Sequence, residues 1–498
     1  MRLFELLEGI AYSGREKLTD CEITAVTNDS RQVEEGNLFV CVKGLKVDGH
    51  EHAAQALERG AAALVVERDL GLPNQILVEN SRSAYAQLCA NFNGRPADQM
   101  KLIGITGTNG KTTLTYLIKH VLEAAGKKVG LLGTIHNEVG EMVYPAKNTT
   151  PDPAELHVMF RRMLQAGCEY VVMEVSSHAL DQHRLDGCHF SCAVFTNLTQ
   201  DHLDYHGTME RYFQAKAKLF TMCDVAVINR DDPYGLRLLE MVSCKKVTYS
   251  LSDDKADYTA HDIRIGPSGS DFTLLTEGKL GRVHFCMPGR YSVSNALAAG
   301  AVAVAEGMAF EAMIQGLNHS KGVKGRAEVL KTDTDFTVIC DYAHTPDGLE
   351  KIITTFQEFA PARVVTLFGC AGNRDRSKRS KMADIVAKYS DFVILTSDNP
   401  RSEDPMQIIE DAMPGILKHA TPYKVIADRY QAIRWALDNC QKGDILILAG
   451  KGHEDYQVLD YGTIHFDEHE LVQQILSEKR AAQGTEVRAS GNTRKKRI

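Results

Sequence analysis

Short runs of β-branched and aliphatic residues recur along the chain, separated by stretches whose apolar positions fall three or four apart. The first kind of pattern predicts strands and the second predicts amphipathic helices. In the first ~100 residues "NLFVCV", "AAALVVE" and "QILVEN" read as strands and "HEHAAQALERGA" as a helix. "NGRPADQM" follows, with Gly and Pro among polar residues, and reads as a linker. "KLIGITGTNGKTTLTYLIKHVLEAAGKKVGLLG" then opens a strand–turn–helix–strand succession of the βαβ kind. "YVVMEVSS", "CAVFTNL" and "VAVINRDD" continue that region as strands. A last block repeats one design: "FTVICDYA", "RVVTLFGC", "DFVILTSDNP" and "DILILAGKGHE" are unbroken apolar runs ending in small or polar residues. Strands buried on both faces of a parallel sheet have this composition. Their polar ends should gather beyond the carboxyl edge of the sheet.

The expected fold is therefore α/β with three domains. A small N-terminal α/β domain spans 1–98, and a central domain with a mainly parallel sheet, whose glycine-rich turn marks it as a P-loop domain, spans 99–325. A C-terminal Rossmann-like α/β domain spans 326–480, and a mobile basic tail, 481–498, follows. The length of 498 residues agrees, since one ordinary core stops growing well below it and roughly three domains are expected. A net charge of −8 argues against nonspecific nucleic-acid binding. The 12 cysteines form no framework, which fits reduced thiols in a cytoplasm. "MRLFELLEGI" lacks the long apolar core of a signal peptide. No run approaches the roughly 18 apolar residues of a membrane span. A cytoplasmic monomer acting on small molecules is the expectation.

"GITGTNGKTT" (104–113) is the most specific local signal. Gly107 and Gly110 would let backbone N–H groups approach phosphate oxygens, Lys111 would reach the outer phosphates, and Thr112 would offer its hydroxyl to Mg2+. A helix starting at Thr112 adds its positive dipole end. The strict phosphate-loop pattern needs glycine at 105, where this chain has Ile105, so Gly104 is displaced by one position. Such a loop serves kinases, motors, switches and ligases alike.

Oxygen ligands suit Mg2+, which makes Glu174 and Thr112 candidates. His202, in "TNLTQDHLDYHG", is a metal or a structural residue by spacing alone. Cys188 and Cys192 match no common zinc spacing and read as buried structural residues. "RYFQAKAKLF" reads as a helix with Tyr212, Lys216, Leu219 and Phe220 on one face and Lys218 elsewhere. A lysine in that position ordinarily lies along the surface with its charge in water.

Taken together, "GTNGKTT", "MEVSSHAL", "TNLTQDHLDYHG", "AKAKLF", "PGRYSVSNALAA", "GVKGRAEVL", "DYAHTPD" and "GKGHE" resemble the Mur ligase family in content and order, and folylpolyglutamate synthetases more distantly. "DSRQVEEGNLFVCVKG" and "NTTPDP" resemble the members that add the third peptide residue, and "DNPR" those that select meso-diaminopimelate. The resemblance implies an ATP-dependent amide ligase. It would join meso-2,6-diaminopimelate to the D-glutamate side-chain carboxylate of UDP-N-acetylmuramoyl-L-alanyl-D-glutamate, in peptidoglycan precursor synthesis. It also implies roles by position. Ser30 would contact the uridine side; Asn148, Thr149, Thr150, Ser176, Gln182 and Arg184 the sugar-peptide portion. Gly107, Thr108, Asn109, Gly110, Lys111, Thr112 and Thr113 would bind ATP phosphates, with Asn295, Arg326 and Asp341 as further nucleotide contacts and His344 beside them. Arg374, Asp398, Asn399, Arg401, Gly450 and Glu454 would contact diaminopimelate, with Pro400 stiffening the loop. Lys216 would be carried as N6-carboxylysine. Lys111, Glu174, His202 and Lys216 would be catalytic, and Thr112, Glu174, His202 and Lys216 would position Mg2+.

Carboxylation needs a neutral amine, and a free lysine titrates near about 10.4; packing against Tyr212 and Phe220 would lower that value by desolvation. Diaminopimelate differs from lysine by a second carboxylate at its far end. Arg401 can hold a carboxylate through two parallel hydrogen bonds, while Asp398 and Glu454 could pair with an ammonium. A plainer reading of the same stretch is a helix start, with Asp404 as cap, Pro405 at N1 and Gln407 three residues on. The alternatives are the same ligase using L-lysine, a folylpolyglutamate-type ligase, and a nucleotide-binding regulator without catalysis.

Overall fold

The computed structural model describes residues 1–44 and 47–494, with side chains as far as residue 481. The chain divides into two compact units. The first holds Met1–Leu198, Glu210–Tyr258 and Ala298–Gly316; the second holds Thr199–Met209, Thr259–Leu297 and the chain from Leu317 onward.

The first unit contains two sheets. The N-terminal one has four parallel strands in the order Val26–Thr27, Leu38–Val40, Ala63–Val66 and Gln75–Leu77. Its alternate residues split between two cores, Leu38, Val40, Ala63 and Val65 on one side and Phe39, Leu64 and Val66 on the other. The larger sheet runs Lys245–Ser250, Cys223–Asn229, Phe190–Phe195, Lys101–Thr106, Tyr170–Glu174 and Val129–Leu132, all parallel. The antiparallel hairpin His136–Val139 and Met142–Pro145 follows at the edge. The succession expected at 101–132 is present, with one difference: Tyr170–Glu174 lies between its two strands. This insertion places Glu174 beside the end of Lys101–Thr106, where the phosphate loop begins.

In the second unit six strands run Glu328–Leu330, Thr337–Asp341, Ile445–Ala449, Val364–Cys370, Phe392–Ser397 and Tyr423–Val425. Every pair is parallel except the first. The apolar runs alternate with period two between two buried faces. Val364, Phe368, Ile445 and Ile447 meet helices Pro346–Gln357, Ser377–Tyr389 and Pro405–Ile416, while Val365, Leu367, Leu446 and Leu448 meet Arg429–Asn439 and Glu468–Arg494. Each such fully buried side chain contributes roughly 1.5–3 kcal/mol, which fixes the register that carries the polar strand ends. This unit also holds the antiparallel strands Gly269–Thr276 and Lys279–Phe285. The segment expected as a tail, 481–498, overlaps the last helix, whose backbone continues to Arg494; residues 495–498 lie outside the described residues.

Asp404 caps the helix Pro405–Ile416 as expected, accepting a hydrogen bond from Met406 N at 2.8 Å. Gln407 does not complete a capping box, because its amide turns to Glu410 at 3.4 Å. No helix among the described residues is long and apolar enough to cross a membrane.

Candidate active site

In the first unit the loop after Lys101–Thr106 is shaped by its glycines. Gly107 has φ +148°, and a Cβ there would meet Thr196 Oγ1 at 1.9 Å. Gly110, at φ +88°, turns the chain into helix Lys111–Ala124. Gly104 proves to be a strand residue: a Cβ there would strike the Phe190 ring at 2.8 Å. Its place before the loop thus serves sheet packing, and Ile105 is a buried strand residue pairing with Glu174. The loop is braced from the neighbouring strand end. Thr196 Oγ1 donates to Asn109 O at 2.7 Å, Asn197 Oδ1 accepts from Asn109 N at 3.0 Å, and Thr108 N donates to Asn197 O at 2.9 Å. Sequence reasoning does not give Thr196 and Asn197 this role, although they stand at the head of a quoted motif.

Lys111 Nζ donates to the carbonyls of Gly107 and Thr108 at 3.0 and 2.9 Å, so it already lies along the loop. Thr112 and Glu174 are brought together, Thr112 Oγ1 donating to Glu174 Oε2 at 3.0 Å. Glu174 is buried and further held by Thr134, whose N–H donates to Oε1 at 2.8 Å and whose hydroxyl donates to Oε2 at 3.1 Å. Thr134 is a partner that no motif announces.

Lys216 departs from the ordinary surface reading. It is 2% exposed on helix Met209–Ala217, its Nζ donating to Gly107 O at 2.8 Å and lying 4.7 Å from the Tyr212 ring centre. Tyr212, Leu219 and Phe220 are buried with it, whereas Lys218 is half-buried near Asp181. Lys216 and Lys111 thus share one carbonyl of the phosphate loop.

The residues expected around the sugar-peptide portion also converge in this unit. Thr150 Oγ1 donates to Glu174 O at 2.8 Å and accepts from Ser176 N at 3.0 Å. Arg184 donates to Thr150 O at 2.9 Å and grips Gln182 Oε1 through Nε and Nη2. Thr149 meets Thr134 at 3.1 Å, and Asn148 is exposed beside it. Ser30 sits in the N-terminal part, its carbonyl accepting from Arg59 at 3.0 Å. Cys188 and Cys192 are buried, and burial pushes the Cys188 thiol up to about 12.

In the second unit the four strand ends meet as predicted. Asp341 is buried, its carboxyl accepting from Ala327 N at 2.6 Å and Ala343 N at 2.7 Å; burial pushes its pKa upward. The Arg326 guanidinium lies 4.5 Å over the Tyr342 ring, and Asn295 is buried on helix Arg290–Ala305. His344 Nδ1–H donates to Tyr342 O at 2.8 Å, and its pKa is lowered by burial and by Lys378. Lys378 is itself buried and pairs with Asp201 at 3.3 Å. His202, 3.5 Å from Asp201, has φ +53°.

Asp398, Asn399, Pro400 and Arg401 leave Phe392–Ser397 as a turn locked by neighbours. A Cβ on Gly372 would meet Pro400 O at 1.9 Å, and one on Gly450 would meet Asp398 Oδ2 at 2.6 Å. Arg401 takes φ +56°, its N–H donating to Val458 O at 3.0 Å and its Nη1 to Gly372 O at 2.6 Å. Burial, then the like charge of Arg374, lowers the Arg401 pKa. Glu454 is not a free carboxylate: it accepts from Asn399 Nδ2 at 2.9 Å and from Lys451 Nζ at 3.0 Å. Beneath the turn, enclosed Arg429 pairs with Glu468 at 2.8 Å and donates to the carbonyls of Ser397 and Ala449, tying two strand ends together.

Profiles of the Mur ligase family catalytic domain, the Mur ligase middle domain and the Mur ligase glutamate ligase domain match residues 22–92, 105–303 and 325–452. A relative from Caldanaerobacter subterraneus subsp. tengcongensis is 46% identical over 482 residues, covering 96% of this chain and 99% of its own. The chain is a member of the Mur ligase family. That relative is named UDP-N-acetylmuramoyl-L-alanyl-D-glutamate–2,6-diaminopimelate ligase, as is one from Clostridium tetani, 41% identical and covering 96% of this chain and 100% of its own. A solved structure of an enzyme with the same name is 33% identical, with a TM-score of 0.67, covering 92% of this Mur ligase and 95% of that chain. A MurF from Acinetobacter baumannii, 20% identical with a TM-score of 0.63 and 92% and 94% coverage, shares the fold.

Proposed function

We propose that this Mur ligase uses ATP to join meso-2,6-diaminopimelate to the D-glutamate side-chain carboxylate of UDP-N-acetylmuramoyl-L-alanyl-D-glutamate in peptidoglycan precursor synthesis. The observation that carries the choice of amino acid is the turn at 398–401. It presents Arg401, with the charge of Arg374 acting on it, next to the Asn399–Glu454 pair. Diaminopimelate carries a carboxylate and an ammonium at its far end, and this pairing offers one partner for each. Lysine would leave Arg401 without its anion, which costs more than the lost contact. The relatives' names point the same way.

The chemistry follows from the charges. A carboxylate oxygen is a poor leaving group, so the D-glutamate carboxylate first takes the γ-phosphoryl group as an acyl phosphate. Two anions must meet, and Lys111 offsets their repulsion. Phosphate oxygens compete with the Gly107 and Thr108 carbonyls for its ammonium. The neutral amine of diaminopimelate then attacks and phosphate leaves. The adjacent oxygens of Thr112 and Glu174 fit Mg2+, and would hold it. Bound there, the ion would neutralise charge on the moving phosphoryl oxygens. Lys216, enclosed beside the loop, fits N6-carboxylysine, an anion facing the same region. The metal role of His202 is carried from its motif alone.

We assign residues 1–98 to holding the UDP end, 99–325 to ATP and 326–480 to the amino acid, in a cytoplasmic monomer. The test is phosphate release from ATP with the UDP-linked dipeptide and one amino acid at a time. Release with meso-diaminopimelate and little with L-lysine is expected. Equal rates would overturn the amino-acid assignment, and release without any amine would overturn the ligase reading.

A further inference from the structure

We infer that Lys451 is a positioning residue for amino-acid recognition: its enclosed ammonium fixes Glu454 and Asn399 and keeps Glu454 an anion able to receive the far ammonium of the substrate. The inference rests on the diaminopimelate reading above.

Lys451 follows strand Ile445–Ala449 by two residues and is 0% exposed. It has no route by which its charge could reach water. Enclosing an ammonium is costly unless it is paired and hydrogen-bonded. Its Nζ donates to Glu454 Oε2 at 3.0 Å and to Asn399 Oδ1 at 3.2 Å, and lies 5.7 Å from the Tyr456 ring centre. Asn399 Oδ1 also accepts from Val458 N at 2.9 Å. Two donors therefore converge on that oxygen and settle which way the amide faces. Its Nδ2 is left to donate to Glu454 Oε2, at 2.9 Å. One carboxylate oxygen is thus occupied from within the protein, while Oε1 lies 3.4 Å from the Tyr342 hydroxyl.

The groups acting on Glu454 come from several elements: Lys451 on its own loop, Asp398, Asn399 and Arg401 from the 398–401 turn, Tyr342 from the end of Thr337–Asp341, and Tyr456. Burial, and then the negative charge of Asp398, favours the uncharged acid; Lys451 and the Asn399 amide oppose them. An uncharged acid cannot form an ion pair. Without Lys451, Glu454 becomes an acid that ionises only at higher pH, and the amide of Asn399 loses one of the two donors that orient it. Because Lys451 is enclosed, it acts through these two neighbours.

The test is steady-state kinetics of full-length enzyme across pH 6.5–9.5 (a range chosen to bracket neutrality) with Lys451→Met, Glu454→Gln and the double variant. Each is compared with the unaltered enzyme at the same pH. Lys451→Met should raise KM for diaminopimelate on the order of 30-fold near neutral pH, with kcat and KM for ATP little changed. That penalty should shrink as pH rises, and the double variant should be no worse than Glu454→Gln alone. Lys451→Gln removes the charge but keeps hydrogen-bonding atoms, and carries the same prediction if the Met variant does not fold. A loss independent of pH, or one that adds in full to that of Glu454→Gln, overturns the role of Lys451. Absence of diaminopimelate-dependent turnover in the unaltered enzyme overturns the functional reading instead, and this one with it.

Discussion

Around the phosphate loop of the first unit, two lysine ammoniums are held by a backbone carbonyl; beyond the strand ends of the second, Lys451, Glu454 and Asn399 are held by one another. Lys111 and Lys216 both donate to Gly107 O, and the loop's course is set by Gly107, Gly110 and the bracing of Thr196 and Asn197. The proposed amino-acid subsite instead links Lys451, Glu454 and Asn399 through side chains, with Asp398 and Arg401 acting by charge. Backbone amides, with lysines held over the loop, suit a triphosphate, whose oxygens are alike and need many similar donors. Side chains suit discrimination, because each end of a zwitterionic tail can be given a different partner.

The sharpest way to break the first half of that contrast is Gly107→Ala. The new methyl would meet Thr196 Oγ1 at 1.9 Å on a backbone at φ +148°, and the loop must deform. A loss of kcat/KM of about 1,000-fold or more is expected, as for removal of preorganised donors. A variant that keeps activity within a few fold would show that the loop's exact course is unimportant.

Acid probes the first unit next. His157 is buried in helix Pro153–Gln165 of the first unit with no partner on either ring nitrogen, and burial lowers its pKa from 6.5 to about 4. The folded state therefore holds it neutral. Its contribution is intact above about pH 6.5 and is lost as pH falls toward 4, because the unfolded chain binds the proton first. This should remove up to about 3 kcal/mol of stability. Denaturant melts at pH 7 and 4.5 should show the loss in the unaltered chain and a smaller one in His157→Leu. Equal losses in both would assign the acid limb elsewhere.

How much of this was legible in the sequence depends on where a residue's partners lie. The phosphate loop can be read because Gly107, Gly110, Lys111 and Thr112 are consecutive and each has a fixed task. The parallel strands can be read because both faces are apolar. Strands Gly269–Thr276 and Lys279–Phe285 are harder, since polar and glycine residues interrupt "GSDFTLLTEGKLGRVHF". Lys451 stands between two glycines and reads as a surface loop; only the approach of Asn399, 52 residues away, reveals an enclosed charge. Lys378 and Asp201 are separated by 177 residues, and nothing local predicts their pairing. The resemblance supplied the direction for Lys216, whose periodicity alone favours the solvated reading.

Arg401→Lys tests the second half of the contrast. The charge stays, but the planar fork that can match both oxygens of a carboxylate is lost. KM for diaminopimelate should rise about 10–100-fold, or roughly 1.4–2.8 kcal/mol, with kcat less affected. Discrimination against L-lysine should fall in parallel, measured as the ratio of kcat/KM values. Unchanged discrimination would mean that the far carboxylate is recognised elsewhere.

Asp404→Ala is the smallest perturbation and separates recognition from scaffolding within the same stretch. Asp404 caps Pro405–Ile416 through Met406 N, three residues beyond Arg401. If its task is only to start that helix, removing it should cost about 1 kcal/mol of stability. KM for diaminopimelate should then move by less than about twofold, because the turn is held independently by Gly372 against Pro400, by Val458 against the Arg401 N–H, and by Arg429 beneath Ser397. A large rise in KM without a matching loss of stability would mean that the helix start, rather than those contacts, sets the position of the guanidinium. The side-chain network would then owe its precision to a backbone device after all, as the phosphate loop does.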